Sequence, residues 1–231
     1  MRIVVAGAHG QVARRLGRLL SARGDTVVGI VRNPDHEADL TADGVTAAVL
    51  DLESATVAEV ADLLSGADAV VFAAGAGPNS GAPRKDTVDR GAAVLLADAA
   101  EQAGVRRYLL VSSMGVESVR DGATPEGVEP GFVVYLRAKL AAEEDLRRRG
   151  LDWVVLRPGH LTNDPGTGRV RLTVASDASS GRSDVPRDDV AAVLAALLER
   201  LRRDPASGRK VLEIVAGDDP ADEAVVRALG S

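Results

Sequence analysis

The chain has 231 residues, of which 45% are hydrophobic, and a formal net charge of −6. The negative charge and an aromatic content of only 2% argue against nucleic-acid and anionic-membrane partners. The absence of cysteine excludes disulfides and thiolate metal sites, and the three histidines show no metal-ligand spacing. No segment has the length of a membrane span, and the chain opens directly on an apolar strand pattern without a signal peptide, so we expect a cytoplasmic protein.

The first fifteen residues combine a strand pattern, a glycine turn and a helix pattern. Residues 1–6 are an apolar run typical of a buried strand, and a helical pattern with an apolar face begins at Val12. Gly7 permits a tight turn, and Gly10 lets the backbone approach a pyrophosphate closely. Unpaired N–H groups and the helix dipole favour an anion here. An ordinary glycine turn is the alternative to the nucleotide-binding loop that we predict, whose residues are Gly7, Ala8, His9, Gly10, Gln11 and Val12.

Strand and helix patterns alternate along the rest of the chain. Strands are predicted at residues 26–31, 45–50, 69–73, 107–111, 153–156, 170–174 and 210–215. Helices are predicted at residues 57–64, 88–102, 133–149, 187–201 and 220–229, and loops over the site at residues 116–131 and 176–183. This alternation predicts an α/β fold, a Rossmann-type doubly wound parallel sheet with helices on both faces. No linker separates two units, so we predict a single domain over residues 1–231 with a small C-terminal extension.

The carboxyl ends of parallel strands meet at one edge of the sheet, where such folds bind their ligands. Arg32 follows the second strand, where an acid would bind a ribose 2′-OH and an arginine would accommodate a 2′-phosphate. This residue favours NADP over NAD, unless it is a solvated surface arginine. Asp51 and Leu52 follow the third strand and could hold the adenine; alternatively, Asp51 caps the helix that follows.

Tyr135 and Lys139 are four residues apart on a predicted helix and therefore share one face. An ammonium beside a phenol favours the phenolate, so this tyrosine could exchange a proton with a carbonyl or hydroxyl group. Ser112 or Ser113, at the end of the fifth strand, could hydrogen-bond the same oxygen. The alternative is that Tyr135 only packs or lies on the surface.

Together these motifs resemble the atypical short-chain dehydrogenases/reductases, and within them the NAD(P)H-binding, NmrA-like group that includes flavin and biliverdin-IXβ reductases. The resemblance spans nearly the whole chain. It rests on Gly7-x-x-Gly10-x-x-Ala13, Arg32, Asp51-Leu52, Ala73-Ala74-Gly75, Val111-Ser112-Ser113, Tyr135-x-x-x-Lys139, Arg157-Pro158-Gly159-His160-Leu161-Thr162 and Ile214-Val215-Ala216-Gly217.

The resemblance implies a role for each matching residue. Ser113 and Tyr135 would polarise the substrate oxygen, and Lys139 would bind the nicotinamide ribose. The other implied cofactor contacts are Ala73, Ala74, Gly75, Ser112, Pro158, Gly159, His160 and Leu161. The family's main branch often carries Asn on the helix after the fourth strand, where the nearest candidate in this chain is Asp89.

The expected function is that of an NADPH-dependent reductase that transfers a hydride to a small organic acceptor, such as a flavin, quinone or carbonyl compound. Two alternatives remain open at this point: a non-catalytic NADP(H) sensor, and a nucleotide-sugar epimerase or dehydratase that uses bound NAD. The roughly seventy residues after His160 leave little room for the larger substrate domain of such an epimerase. We expect a monomer or a small homo-oligomer with a small-molecule substrate.

Overall fold

The computed structural model describes residues 1–77, 80–175 and 184–230 of the chain. The strands are β1 (Arg2–Ala6), β2 (Thr26–Val31), β3 (Thr46–Val49), β4 (Ala69–Phe72), β5 (Arg107–Val111), β6 (Asp152–Pro158), β7 (His160–Thr162), β8 (Arg169–Val174), β9 (Asp184–Pro186), β10 (Lys210–Ala216) and β11 (Asp219–Pro220). The helices are α1 (Gln11–Ala22), α2 (Glu37–Ala42), α3 (Val57–Leu64), α4 (Ala82–Arg84), α5 (Ala93–Gln102), α6 (Pro130–Arg147), α7 (Arg187–Arg203) and α8 (Ala221–Leu229), with a π-helix at Lys85–Ala92 between α4 and α5.

A nine-stranded sheet forms the centre of the molecule, in the order β11-β8-β10-β6-β5-β4-β1-β2-β3. Seven neighbouring strands of this sheet are all parallel, which confirms the predicted Rossmann-type fold. In their spatial order they are β10, β6, β5, β4, β1, β2 and β3. The prediction of a parallel sheet is wrong for β8, which runs antiparallel to β10. It also runs antiparallel to β11, a strand that the sequence did not predict. The described connection from β6 to β8 contains no helix and therefore no crossover of the kind that parallel strands need. The chain re-enters the sheet at the edge where β6 ended, so β8 runs in the opposite direction.

Helices cover both faces of the sheet because the parallel strands are apolar on both sides. In β1, Ile3 and Val5 belong to one core with α1, α7 and α8, whereas Val4 and Ala6 belong to the other with α3, α5 and α6. All four side chains are almost completely buried. Helices therefore pack on both faces of the sheet, and the carboxyl ends of its parallel strands lie between the two helical layers.

Several elements differ from the sequence prediction. The helical region after β4 begins at Ala82 instead of residue 88, and α6 begins at Pro130 instead of residue 133. A 3₁₀ segment (Val116–Gly122) occupies part of the predicted loop 116–131, and α2 was not predicted. The loop predicted at residues 176–183 lies outside the described residues. Within the described part of the chain, no helix has the length and apolarity needed to cross a membrane.

Candidate functional site

The loop between β1 and α1 is built around two glycines. Gly7 has a φ of +75°, and a Cβ atom there would lie 2.5 Å from the Cα atom of Ala74, so only glycine fits. Gly10 is the N-cap of α1, and no side chain caps this helix. The first hydrogen bond within α1 runs from the N–H of Arg14 to the carbonyl of Gly10, 2.9 Å away. The N–H of Gly10 donates to the carbonyl of Gly7, but those of Gln11, Val12 and Ala13 have no acceptor among the described residues and are left for a ligand such as a pyrophosphate.

A cleft of about 360 Å³ runs from this loop along the carboxyl ends of β1 to β4. Its lining residues are Gly7, His9, Gly10, Ile30, Val31, Arg32, Asn33, His36, Leu50, Asp51, Leu52, Glu53, Ala73, Ala74, Gly75, Arg84, Val88 and Ala92. Three residues of the predicted loop do not line the cleft. Ala8 and Val12 are buried in the core, and the side chain of Gln11 is exposed.

The end of the cleft at β2 and β3 carries a cluster of exposed charges. Glu53 accepts hydrogen bonds from Arg32 (3.0 Å), Arg84 (2.8 Å) and the hydroxyl of Thr87 (2.6 Å). The bonds from Arg84 and Thr87 hold the pKa of Glu53 below its usual range. Sequence reasoning found Arg32 but missed Glu53 and Arg84. Glu53 could have been noticed because it directly follows Asp51-Leu52 at the same strand end.

Asp51 does not cap the helix that follows. Its Oδ1 atom accepts the N–H of Glu53, 3.0 Å away, and so caps the turn after β3. The N-cap of α3 is Thr56, which forms a capping box with Glu59. The helix-cap interpretation of Asp51 is therefore wrong, and its carboxylate stays at the cleft wall beside Leu52.

Two histidines lie beside the glycine loop between β1 and α1. The rings of His9 and His36 stack with their centres 3.6 Å apart, and the Nε2 atom of His9 lies 2.7 Å from a carboxylate oxygen of Asp39. His9 was predicted from its place in the loop, whereas His36 was not. Both line the cleft, so the stack forms part of its wall.

A buried ion pair lies at the ends of β4 and β5. The Nζ atom of Lys139 lies 3.2 Å from the carboxylate of Asp89 and donates to the carbonyls of Ala74 (3.2 Å) and Val111 (3.1 Å). Asp89 also accepts the N–H of Ala76, 3.2 Å away. The contact between α6 and the π-helix brings the two charged groups together. Lys139 is therefore fixed at the strand ends, beside the wall of the cleft.

Tyr135 lies one turn before Lys139 on α6 and is half-buried. Its ring stacks on Phe132 with the ring centres 5.5 Å apart. The Nζ atom of Lys139 lies 5.8 Å from the centre of the Tyr135 ring, and the Nζ atom of Lys85 lies at the same distance. The structure thus brings the predicted pair together and adds Lys85, which the sequence analysis did not predict.

The two neighbouring serines have different environments. The hydroxyl of Ser113 donates to the carbonyl of Met114, 2.9 Å away, and is half-buried at the end of β5. The hydroxyl of Ser112 donates to Glu143, 2.6 Å away, and Glu143 also accepts the Nε–H of Arg157 at 2.9 Å. Ser112 therefore belongs to a buried ionic network and does not line the described cleft.

Residues 158–161, which the resemblance implies as cofactor contacts, lie at the end of β6 and the start of β7. Pro158 is buried, and its carbonyl accepts the N–H of Met114 (3.0 Å), which ties this segment to the end of β5. His160 is 68% exposed, with its Nδ1 atom 3.1 Å from Asp184, and Leu161 packs partly against the core. Neither Pro158 nor Gly159 lines the described cleft, which covers the other half of the sheet edge.

The parallel sheet, the uncapped α1 behind a glycine turn and the cleft along the strand ends define a dinucleotide-binding protein of the Rossmann class. The pattern of the NAD(P)H-binding family matches residues 7–201, and the chain belongs to this family. This confirms the resemblance to NAD(P)H-binding, NmrA-like proteins that the motifs indicated.

Three similar proteins extend the comparison. The uncharacterized sugar epimerase YhfK of Bacillus subtilis is 31% identical over 226 residues, which cover 97% of this chain and 99% of YhfK. A Bacillus halodurans protein provisionally assigned as an NAD-dependent epimerase/dehydratase has a structure with a TM-score of 0.86, 33% identity, and coverage of 98% of this chain and 99% of its own. The structure of ChuY, an anaerobillin reductase of Escherichia coli O157:H7, has a TM-score of 0.74, 26% identity, and coverage of 94% of this chain and 98% of its own.

Proposed function

We propose that this protein is an NADPH-dependent reductase that transfers a hydride to a small organic acceptor, with a carbonyl compound as the favoured class. The observation that carries the proposal is the position of Tyr135 beside Lys139, which is itself fixed by Asp89 and two backbone carbonyls. A phenol in this position can donate a proton to an oxygen at which negative charge develops. The reductase activity of ChuY adds support for this class of reaction.

The residues of the site would divide the work between binding and proton transfer. The N–H groups at the start of α1 would hold the pyrophosphate, and Arg32 with Arg84 would hold a 2′-phosphate. Lys139 would bind the nicotinamide ribose and stabilise the Tyr135 phenolate after its proton has moved to the acceptor oxygen. When bound, the nicotinamide supplies the hydride. Ser113, at the end of β5, would hydrogen-bond the same acceptor oxygen.

The proposal is tested by NADPH oxidation with a panel of aldehydes, ketones, quinones and flavins. Tyr135→Phe removes only a hydroxyl, so turnover on carbonyl acceptors should fall about a hundredfold or more, while the dissociation constant of NADPH barely changes. Flavins and quinones depend mainly on hydride positioning, and the variant should keep most of its activity with them. If the wild-type protein binds NADPH tightly but turns over no acceptor, the reductase proposal is wrong and a cofactor sensor takes its place.

A second candidate is a sugar epimerase, which the descriptions of the two Bacillus relatives favour. Such an enzyme would oxidise and re-reduce its substrate on the same bound cofactor, so no net NADPH would be consumed. The two functions are separated by incubating the protein with nucleotide sugars and NAD in deuterated water and following epimer formation by NMR. Epimer formation without cofactor turnover would replace the reductase assignment.

A further inference from the structure

The helical region after β4 places a second buried lysine beside Tyr135. Lys85 is the first residue of the π-helix and is only 8% exposed. π-Helical turns are rare and are frequently found at functional sites. The proposed mechanism gives this ammonium group no role, although it lies as close to the Tyr135 ring as the Lys139 ammonium does.

The two lysines differ in how their N–H groups are satisfied. Lys139 donates to the carbonyls of Ala74 and Val111, and its Nζ atom forms an ion pair with the carboxylate of Asp89, 3.2 Å away. Lys85 has one acceptor among the described residues, the carbonyl of Gly77, at a long 3.4 Å. An ammonium carries three donors, and burying a charge without partners is costly. Lys85 therefore has donors available for a ligand that carries acceptor oxygens.

The charges of this cluster do not balance within the described part of the protein. Lys85 and Lys139 contribute two positive charges, whereas Asp89 contributes one negative charge and pairs with Lys139. No carboxylate of the described residues forms an ion pair with Lys85. A ligand group with one negative charge would neutralise the cluster.

The composition of the chain makes these lysines conspicuous. The chain has 28 Lys and Arg residues, and only three of them are lysines: Lys85, Lys139 and Lys210. Two of the three are buried beside Tyr135. An ammonium is a compact point charge with rotatable donors, whereas a guanidinium is a broad planar fork. In a chain that otherwise uses arginine, these two positions fit a requirement for the smaller cation.

The position of Lys85 assigns its anion to the acceptor and not to the cofactor. Arg84 and Val88 line the cleft that would hold the phosphates, whereas Lys85, like Tyr135 and Lys139, does not. The phosphates of the cofactor already have the N–H groups of α1, Arg32 and Arg84 as partners. Lys85 instead lies against Tyr135, where the acceptor oxygen would be protonated.

We infer that the acceptor is a carbonyl compound of the 2-oxo acid class, and that Lys85 binds its carboxylate while Tyr135 protonates its carbonyl oxygen. This inference rests on the proposed reductase function. A hydride from NADPH forms the new C–H bond at the carbonyl carbon, the π electrons move to the oxygen, and the oxygen takes the phenol proton. The products are a 2-hydroxy acid and NADP⁺, the phenolate regains a proton from solvent, and the carboxylate is unchanged.

The test uses pyruvate, 2-oxobutanoate and phenylglyoxylate, each paired with its neutral methyl ester. Two quantities are measured on the full chain for each acid and each ester. The first is kcat/KM with NADPH, and the second is the dissociation constant of the acid or ester, measured by calorimetry in the presence of NADP⁺. The wild-type protein should favour at least one acid over its ester by about tenfold to a hundredfold, the usual scale of a hydrogen bond to a charged group. Lys85→Met should abolish this preference by weakening the acid about tenfold or more beyond any change in the ester, and Lys85→Arg should keep part of it.

Lys210→Met is the matched control, because it removes the third lysine at the start of β10. It should leave both the acid and the ester unchanged. The melting temperature of unliganded Lys85→Met should equal or exceed that of the wild-type protein, because the substitution removes a buried charge with one weak partner. A clearly lower melting temperature would show that the ammonium stabilises the fold and would overturn the inference.

Three further outcomes would also overturn it. The wild-type protein could treat every acid and its ester alike, or Lys85→Met could retain the preference. Alternatively, Lys85→Met could weaken NADPH binding equally whether the acid or its ester is present. That result would assign Lys85 to a cofactor phosphate. If no acceptor is turned over, the reductase proposal fails alone, and the calorimetric preference for an acid over its ester still decides the role of Lys85.

Discussion

The two ends of the site use the same kind of ion pair in opposite environments. At the end formed by β2 and β3, Arg32 and Arg84 are 54% and 41% exposed where they meet Glu53. At the end formed by β4 and β5, Lys139 and Asp89 are 4% and 1% exposed. Exposed pairs contribute about 0–1 kcal/mol to stability, whereas a buried charge that loses its partner costs several. Substitutions at the exposed end should therefore change the stability of the fold little, whereas those at the buried end should change it strongly.

The largest expected effect is on stability at the buried end. Lys139→Ala leaves the Asp89 carboxylate with only the N–H of Ala76 as a described partner, so the free energy of unfolding should fall by about 3–5 kcal/mol. Arg32→Ala, at the exposed end, should change it by no more than about 0.5 kcal/mol. Urea unfolding followed by circular dichroism measures both. Equal effects of the two substitutions would remove the distinction between the ends.

Between the two ends lies the glycine loop, which should affect binding without affecting the fold. Gly10 has φ −63° and ψ 149°, a conformation that any residue adopts, but a Cβ atom there would lie 3.1 Å from the carbonyl of Gly7. Gly10→Val should therefore weaken NADPH binding about a hundredfold or more, because the pyrophosphate loses charge-assisted bonds to the loop. Calorimetry measures the loss, and an unchanged unfolding curve is the control. Normal NADPH binding by a folded variant would show that the phosphates bind elsewhere.

Sequence patterns predicted the sheet and the glycine turn between β1 and α1 because both depend on local signals. The apolar run of β1, the glycine turn and the start of α1 are contiguous, and strand periodicity gave β2 and β5 with their observed bounds. The Tyr135–Lys139 pair was likewise within reach, because residues four apart share a helix face.

The parts that the sequence did not predict depend on contacts between distant residues. Glu53 meets Arg84 across 31 positions of the chain, and no local pattern reports such a pairing. Ser112 and Ser113 could not be separated by pattern alone, because what distinguishes them is the hydrogen bond from Ser112 to Glu143, 31 positions along the chain. The π-helix shifts the hydrogen-bond register without changing the apolar spacing that a sequence shows. The position of Lys85 beside Tyr135 could therefore not be predicted from the sequence.

At the exposed end, the next expected effect concerns cofactor choice. We expect NADPH to bind more tightly than NADH, and Arg32→Ala to reduce that preference by about tenfold to a hundredfold, the scale of a charge-assisted bond to phosphate. Titration calorimetry with both cofactors measures the ratio. Equal wild-type affinities for NADPH and NADH, or an unchanged ratio in the variant, would contradict the role of Arg32.

The smallest expected effect comes from Glu53 and runs in the opposite direction. Its carboxylate pairs with Arg32 and Arg84, so it competes with a 2′-phosphate for both guanidinium groups. The pKa of Glu53 is held below its usual range, so the competing charge is present at neutral pH and is lost only as the pH falls through that lowered value. Glu53→Gln should therefore tighten NADPH binding up to about tenfold and change NADH binding little. Weaker NADPH binding in this variant would show instead that Glu53 holds the arginines in place for the phosphate.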